Sequence, residues 1–466
     1  MRFLIFKMIL TSVLSLSMGR VAFSYDPEDE VVRRERDLDR VGVHTGRPSP
    51  VPEVLPGNLP DLVALGLHRS PRLRARFEGI KQGLHRARVV GSLADPKLSF
   101  GVFLEKVETR VGPQESVFAL SQFFPLGDKR HLAQSREIQA VEALWQGLLV
   151  ERLKLIYGIT ETFYEIAYVQ KFVRITRENI NLLTQLEGVA RTAFEVSMGA
   201  QMDLIRVQTE IGKLENDLES RRDQVDPLES QLRSLLDVPS ETHLADLILP
   251  DTEGLTLTAV AMESALLADS PELKSLDEGI RRDEIALLLE KKSYIPDLNV
   301  TLQTVRTGEA IMPVRGSGKD PVSLMFSINL PIKRGRLRSQ VQAAQSQLEA
   351  AREGRKDRKN SLIVDLHMAL FKLRDARRRI DLYVGSLVPK AEQAFQVAQT
   401  SYMNGVLDFL SVIDAERTLL EFQRSVARAT SDHEQGRARV EMLVGTRLGE
   451  STEQESGTTR SQAPSQ

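Results

Sequence analysis

The chain contains no cysteine. That excludes disulfides, thiolate metal sites, cysteine nucleophiles and lipid attachment through an N-terminal cysteine. Aromatic residues make up only 5% of the 466 residues, with one tryptophan, so a core of ordinary aromatic richness is not available. A content of 41% apolar and 27% charged residues suits long helices instead. Neither sign of charge dominates, with 62 lysines and arginines against 64 acids and a formal charge of -2, which removes a globally basic nucleic-acid binder. Beyond the first two dozen residues, no stretch approaches the roughly 18 to 20 consecutive apolar residues of a membrane-spanning helix.

What is present begins with an export signal. Basic residues Arg2 and Lys7 precede an apolar stretch from Met8 to about Met18, then Ala22-Phe23-Ser24 and an acidic run from Asp26 to Glu30. This reads as a signal peptide over residues 1–24, cleaved near Ser24. Its apolar segment is too short to span a bilayer, so the mature chain is either soluble in the periplasm or a β-barrel. Residues 25–58, with Pro48, Pro50, Pro52 and Pro56, read as an unstructured extension, and the Ser/Thr/Gln-rich residues 447–466 as a flexible tail.

Between these ends one unit occurs twice. Ser70-Pro71-Arg72-Leu73 and Glu78-Gly79-Ile80 reappear as Ser270-Pro271-Glu272-Leu273 and Glu278-Gly279-Ile280, an offset of 200 residues, and Pro96 and Leu98 match Pro296 and Leu298. Ser121 to Pro125 then matches Ser327 to Pro331, and Met198-Gly199 matches Asn404-Gly405, both at an offset of 206. The drift places a six-residue insertion within Thr307 to Pro321. Shared order and a nearly shared offset mark a duplication, with repeats at 59–254 and 255–446.

Each repeat opens with a helix, at about Leu59 to Leu93 and Leu257 to Ser293, and continues into two extended segments, at about 97–124 and 297–330. Val322, Leu324, Phe326, Ile328 and Leu330 alternate with Ser323, Met325, Ser327 and Asn329, the period of a strand with one apolar face. Leu298, Val300 and Leu302, and likewise Leu98, Phe100, Val102 and Leu104, alternate in the same way; the segment near Val117 to Phe124 is less regular. Strands of about 9 to 11 residues with this alternation are those of an outer-membrane barrel. Four strands cannot close one, and an open edge in lipid leaves backbone groups unsatisfied, so the reading requires other copies of the chain.

Long helices follow each strand pair, from about Leu126 to Val196 and Leu337 to Tyr402; about 70 helical residues span on the order of 100 Å. Leu362, Leu366, Leu370 and Leu373 form a one-sided stripe that needs partners along its length. Gly199 and Gly405 end these helices, and return helices run over Asp203 to Leu236 and Leu407 to Leu443. The fold class is thus mixed α and β, mainly α: two long helical hairpins and four barrel strands per chain.

At Ser401-Tyr402-Met403-Asn404-Gly405, followed by Asp414-Ala415-Glu416-Arg417, the sequence resembles the TolC-type outer-membrane efflux family, in which Tyr-x-x-Gly and a later Asp-Ala mark the periplasmic helix tip. Ser-Pro-x-Leu at 270–273, Pro296 before a strand, and Leu330-Pro331 leading to Gly335-Arg336 fit that family's order of elements, and the likeness covers about 59–446. The resemblance implies a homotrimer in the bacterial outer membrane. Its protomers contribute four strands each to a twelve-stranded barrel continued by a periplasmic helical tunnel. It also implies an inner-membrane pump or transporter joined through a periplasmic adaptor, and a passive exit duct for that tripartite efflux system. It makes Asp414, Asp408 and Asp203 candidates for a pore constriction, and Gly199, Tyr402 and Gly405 candidates for the tip turn and adaptor contact. Two departures stand out: Ser411 replaces an aspartate the family often carries at the tip, and Gln208 stands opposite Asp414 in the first repeat.

Each candidate has a plainer reading. Asp414 either lines a pore in triplicate, favouring cations, or is a helix-surface aspartate in water. Tyr402 is either a cross-helix hydrogen-bonding group or a core tyrosine, and the glycines are turn residues to which adaptor contact would be an addition. The basic runs Lys129-Arg130 and Lys333 to Arg338 either hold anionic lipid head groups or are solvated helix starts. Seven histidines without metal-ligand spacing, no phosphate loop and no nucleophile set argue against a metal, a cofactor and enzymatic activity. The rival functions are an outer-membrane channel for type I protein secretion and a periplasmic coiled-coil scaffold.

Overall fold

The computed structural model describes residues 25–44, 46, 49–195, 201–250, 258–312, 315–446 and 448. The signal-peptide reading, the C-terminal tail beyond 448 and the first expected tip glycine, Gly199, therefore fall outside the described residues. The chain forms two compact units, one from Met1–Asp37, Gly79–Val141 and Gly279–Glu349, the other from Leu38–Glu78, Glu142–Glu278 and Ala350–Gln466.

In the first unit, β2 (Lys97–Val102), β4 (Gly112–Phe124), β6 (Leu298–Thr307) and β7 (Val322–Ile328) form an antiparallel sheet in the order β2-β4-β6-β7, with short β3 (Glu108–Thr109) pairing only with β4. Register decides the sheet's character. Directly opposed residues share a face, and Phe100, Phe118, Thr304 and Val322 stand in one row, Leu98, Leu120, Leu302 and Leu324 in the next, and Phe124, Leu298 and Ile328 in a third. The alternate rows are Ser99, Ala119, Gln303 and Ser323, and Lys97, Ser121, Thr301 and Met325. One face is therefore apolar and the other mostly polar. The apolar face is exposed, Leu98 at 75% and Phe326 at 66%, and it carries a Phe100–Phe118 ring contact at 4.7 Å.

The irregular segment in β4 has a cause. Gln122 interrupts the apolar row because it is buried and its side-chain amide donates to the Ala94 carbonyl at 2.8 Å, tying the strand end to the chain entering β2. At the same end Lys129 donates to Asp297 Oδ1 and to the Ile295 carbonyl, both at 2.7 Å.

A helix, α1 (Pro27–Arg40), stands where an unstructured extension was expected. Its first turn carries Glu28, Asp29 and Glu30, favourable at a helix N-terminus. Val31, Arg34 and Leu38 are buried at helical spacing, and Glu30 pairs with Arg34 at 2.9 Å. The prolines that suggested disorder all lie beyond it. In the first unit α1 meets α3 (Pro71–Gly91) through Glu35–Lys81 at 3.5 Å and Asp26–Arg88 at 3.7 Å.

The two opening helices each break at their Ser-Pro pair. α2 (Leu59–Arg69) gives way to α3 at Ser70 (φ -53°, ψ 112°), and α7 (Ala259–Asp269) to α8 (Pro271–Lys292) at Ser270 (φ -55°, ψ 116°). Proline biases the residue before it out of the helical region, then starts the next helix without needing its missing N–H.

Long helix α4 (Lys129–Glu195) runs through parts of both units. In the second unit are α5 (Gln201–Arg222), α6 (Val225–Leu236), α10 (Val388–Met403) and α11 (Phe409–Val444), together with a two-residue parallel bridge of β1 (Val54–Leu55) with β5 (His243–Leu244). α9 (Arg334–Leu382) passes into α10 through a π-helical turn, Tyr383–Leu387. Pro389 explains that turn: it cannot donate to the carbonyl four residues back and would clash with it in an unbroken α-helix.

Two apolar clusters hold the second unit. One joins Val169, Phe172, Leu183, Val207, Leu214, Phe395, Phe409, Val412 and Ile413 from α4, α5, α10 and α11. The other joins Leu266, Leu273, Leu362, Leu366, Leu370, Leu373, Val440 and Leu443 from α7, α8, α9 and α11. The leucine stripe on α9 faces the second cluster. There Gly436 lets α11 come so close that an added Cβ would lie 3.4 Å from the Leu373 backbone.

Candidate functional site

The described tip is the turn between α10 and α11, and its backbone explains its residues. α10 ends as Asn404 N–H donates to the Thr400 carbonyl and Gly405 N–H to the Tyr402 carbonyl; Gly405 then takes a φ of +71°, and Val406 N–H closes onto the Ser401 carbonyl at 2.9 Å. A residue with a Cβ is strained at that φ, so the glycine belongs to the turn itself. Tyr402 packs edge-on to Phe409 with ring centroids 5.1 Å apart. Burial, and then the charge of Asp203, push its hydroxyl above its ordinary pKa, which places Asp203 beside Tyr402.

Asp408 is the N-cap of α11. Its Oδ1 accepts from Ser411 N–H at 3.1 Å and from the Ser411 hydroxyl at 2.5 Å. Those hydrogen bonds hold its carboxyl below the ordinary range. The serine that departs from the family pattern thus completes a cap. Asp203 lies 3.8 Å from Arg206, and Asp414, with a side chain 61% exposed, lies 3.6 Å from Arg417. The three aspartates proposed for a constriction therefore have different surroundings: a cap, a half-buried ion pair with Arg206, and an open helix face.

Behind the turn runs a charged seam that reading by motif did not find. Arg417 donates to Glu210 Oε2 at 2.5 Å, Arg424 pairs with Asp217 at 3.4 Å and donates to Thr176 at 2.9 Å, and Arg428 holds Glu165 at 2.9 Å and Asp432 at 2.5 Å. Arg424 and Arg428 also lie over the rings of Phe172 and Tyr168, 4.1 Å and 4.7 Å from their centroids. Glu210, Asp217, Arg417, Arg424 and Arg428 border a cleft of about 920 Å³ between α5 and α11. Burial opposes ionisation of Glu210, but Arg417 and Lys213 overcome it and hold the carboxyl low. The legible signal was the seven-residue spacing of Glu210 and Asp217 against that of Arg417 and Arg424, one face on each of two helices.

Glu416 is the counterpart of Glu210 at the 206-residue offset, and its surroundings are opposite. Its exposure is 0%, and neither carboxylate oxygen has a hydrogen bond of normal geometry among the described residues. Burial pushes its pKa up to about 7, with Glu210 adding to the rise and the nearby Asn179 amide, Arg417 and Arg424 working against it. Among the described residues no group of acidic or histidine side chains is placed to hold a metal ion.

The chain combines a four-stranded sheet with an exposed apolar face and long helices that pack through apolar clusters. Residues 263–446 match the family model described as outer membrane efflux protein. The pyoverdine export outer membrane protein OpmQ of Pseudomonas putida is 20% identical over 397 residues, 79% of this chain and 82% of that one. The cobalt-zinc-cadmium resistance protein CzcC of Cupriavidus metallidurans is 28% identical over a shorter stretch, 33% of this chain and 35% of that one. Among solved structures, the outer membrane protein VceC of Vibrio cholerae superposes with a TM-score of 0.69 at 16% identity, covering 84% of this chain and 96% of that one. The second repeat is thus similar to the outer membrane efflux protein family, and the chain as a whole shares the fold of a solved outer membrane channel protein.

Proposed function

We infer that the protein is the outer-membrane exit duct of a tripartite efflux system, passively conducting substrate that an inner-membrane pump delivers with a periplasmic adaptor. The single observation that carries this is the register of the sheet. It gathers most of the large apolar residues of the four long strands, among them the exposed Leu98, Phe100, Phe118, Leu324 and Phe326, onto one face and mostly polar residues onto the other, the signature of a wall between lipid and a water-filled lumen. Strands β2 and β7 are the sheet's two edges. In lipid such edges are satisfied only by closure, so three copies give a barrel of twelve strands. A soluble periplasmic scaffold would leave that apolar face without a solvent suited to it.

No step breaks a bond. The duct's contribution is geometry and charge, and the exposed aspartate on α11, Asp414, is the candidate for cation preference, because three copies around one axis make a ring. Tyr402 and Gly405 at the described turn, together with Gly199, are the proposed contacts for the adaptor. Cargo follows the pump; the relatives named for pyoverdine export and for metal resistance favour small molecules or ions over secreted protein.

Reconstitution of the mature protein in planar bilayers tests the reading. Discrete cation-preferring conductances are expected, with the preference reduced in Asp414→Ala. A folded protein that never inserts overturns the duct, whereas channels of unchanged selectivity in the variant remove only Asp414 from the pore.

A further inference from the structure

The apolar face of β7 does not stop where the strand stops. Past Ile328, Leu330 and Ile332 remain exposed, at 66% and 78%, and the next residue is Lys333. Arg334, Arg336 and Arg338 follow in the start of α9, all exposed. Arginines further along that helix find carboxylates, Arg355 with Asp277 and Arg358 with Glu272. None of the four cations in this segment has an ion-pair partner among the described residues, and along the sequence no acid lies between Asp320 and Glu349.

The first repeat shows that this is not a requirement of the fold. Pro125 matches Pro331, so Gly127-Asp128-Lys129-Arg130 stands where the second repeat has Lys333-Arg334-Gly335-Arg336. There Asp128 offsets one cation, and Lys129 is absorbed by Asp297 at 2.7 Å. Only the second repeat presents a bare cationic step directly beneath lipid-facing side chains. That position corresponds to the depth of phosphate groups, where juxtamembrane cations are attracted to anionic lipid.

We propose that Lys333, Arg334, Arg336 and Arg338 form a docking surface for the head groups of anionic phospholipids in the periplasmic leaflet of the outer membrane. The occupant is set by charge complementarity and by unbroken continuity with the exposed apolar face. The proposal rests on the outer-membrane reading above.

The test uses the full mature chain in detergent with equimolar phosphatidylglycerol and phosphatidylcholine, followed by affinity purification and counting of retained lipids by mass spectrometry. Wild type is expected to retain phosphatidylglycerol in at least about fivefold excess, given the strength with which clustered cations attract an anionic leaflet. K333Q/R334Q/R336Q/R338Q should approach equal retention, and R334K/R336K/R338K should keep the preference, showing that charge and not a folding defect is responsible. An unchanged preference in the glutamine variant overturns the proposal. So does its absence from wild type, the result if a neighbouring copy covers the segment. Insertion into phosphatidylcholine vesicles is scored in parallel: failure there strikes the outer-membrane reading, while insertion without phosphatidylglycerol preference strikes the docking surface alone.

Discussion

The sheet and the helical hairpins solve the same problem for different solvents. In the hairpins the apolar residues face one another, with Phe409, Val412 and Val207 essentially sealed from solvent, and charge lies on the outside or in paired seams. In the sheet Leu98, Phe100, Phe118 and Phe326 are exposed on one face, while Ser99, Ser121, Thr301, Gln303 and Ser323 occupy the other. Period alone does not make that distinction. A strand alternating every second residue is equally consistent with a sheet packed on a core; what sets this sheet apart is that Leu98, Phe100, Phe118, Leu324 and Phe326 stand exposed on its apolar side.

Substitutions in each region sharpen the contrast. Phe409→Ala removes a fully buried ring from the hairpin core and should destabilise the folded protein by about 3–5 kcal/mol, read by chemical denaturation in detergent. An effect below about 1 kcal/mol would mean that the cluster does not hold the hairpins together. Phe326→Arg, on the exposed apolar face, should cost about 2–4 kcal/mol in lipid and much less in detergent, while Ser327→Arg on the opposite face is tolerated. Equal sensitivity at the two neighbours would reverse the assignment of faces.

Glu416 tests the hairpin core through pH. Its unfolded carboxyl titrates near 4.5 and its folded one near 7. Below the lower value both states hold the proton; between the two only the folded state does, so stability falls as pH rises and levels off above about 7. Glu416→Gln should therefore match wild type at pH 4 and exceed it by about 3 kcal/mol at pH 8, since each pKa unit is worth about 1.36 kcal/mol. Melting curves at the two pH values suffice, and a wild type whose stability does not decline over that interval contradicts the burial. The smallest effect is expected at Arg417→Ala, about 1–2 kcal/mol, because the arginine is 44% exposed although Glu210 is mostly buried. A double-mutant cycle with Glu210→Ala isolates the pair; a coupling of zero would reduce the seam to a surface decoration.

Much of this fold was legible as repetition. Pro125 and Pro331 follow two strands, because proline constrains backbone whatever packs around it, but Ser70-Pro71 and Ser270-Pro271, read as a repeated motif inside single opening helices, in fact break each of those helices in two. The strand alternation at 298–302 and 322–330 is equally local. The tip was legible as far as Gly405 and Tyr402, but the roles of the aspartates were not, since capping, partial burial and free exposure differ only in three dimensions. The helix at Pro27–Arg40 was missed because the prolines beyond it dominated the composition of its segment.

By itself the sequence determined the order of elements, the duplication and the period of each segment, all consequences of backbone restriction and of side-chain spacing. Only the tertiary structure decided which surface each apolar row meets and what becomes of each charge. Glu210 and Glu416 are equivalent in the two repeats, yet one accepts from Arg417 and the other is buried with no hydrogen bond of normal geometry among the described residues. The reason is that solvation and pairing are set by neighbours more than two hundred residues away along the chain.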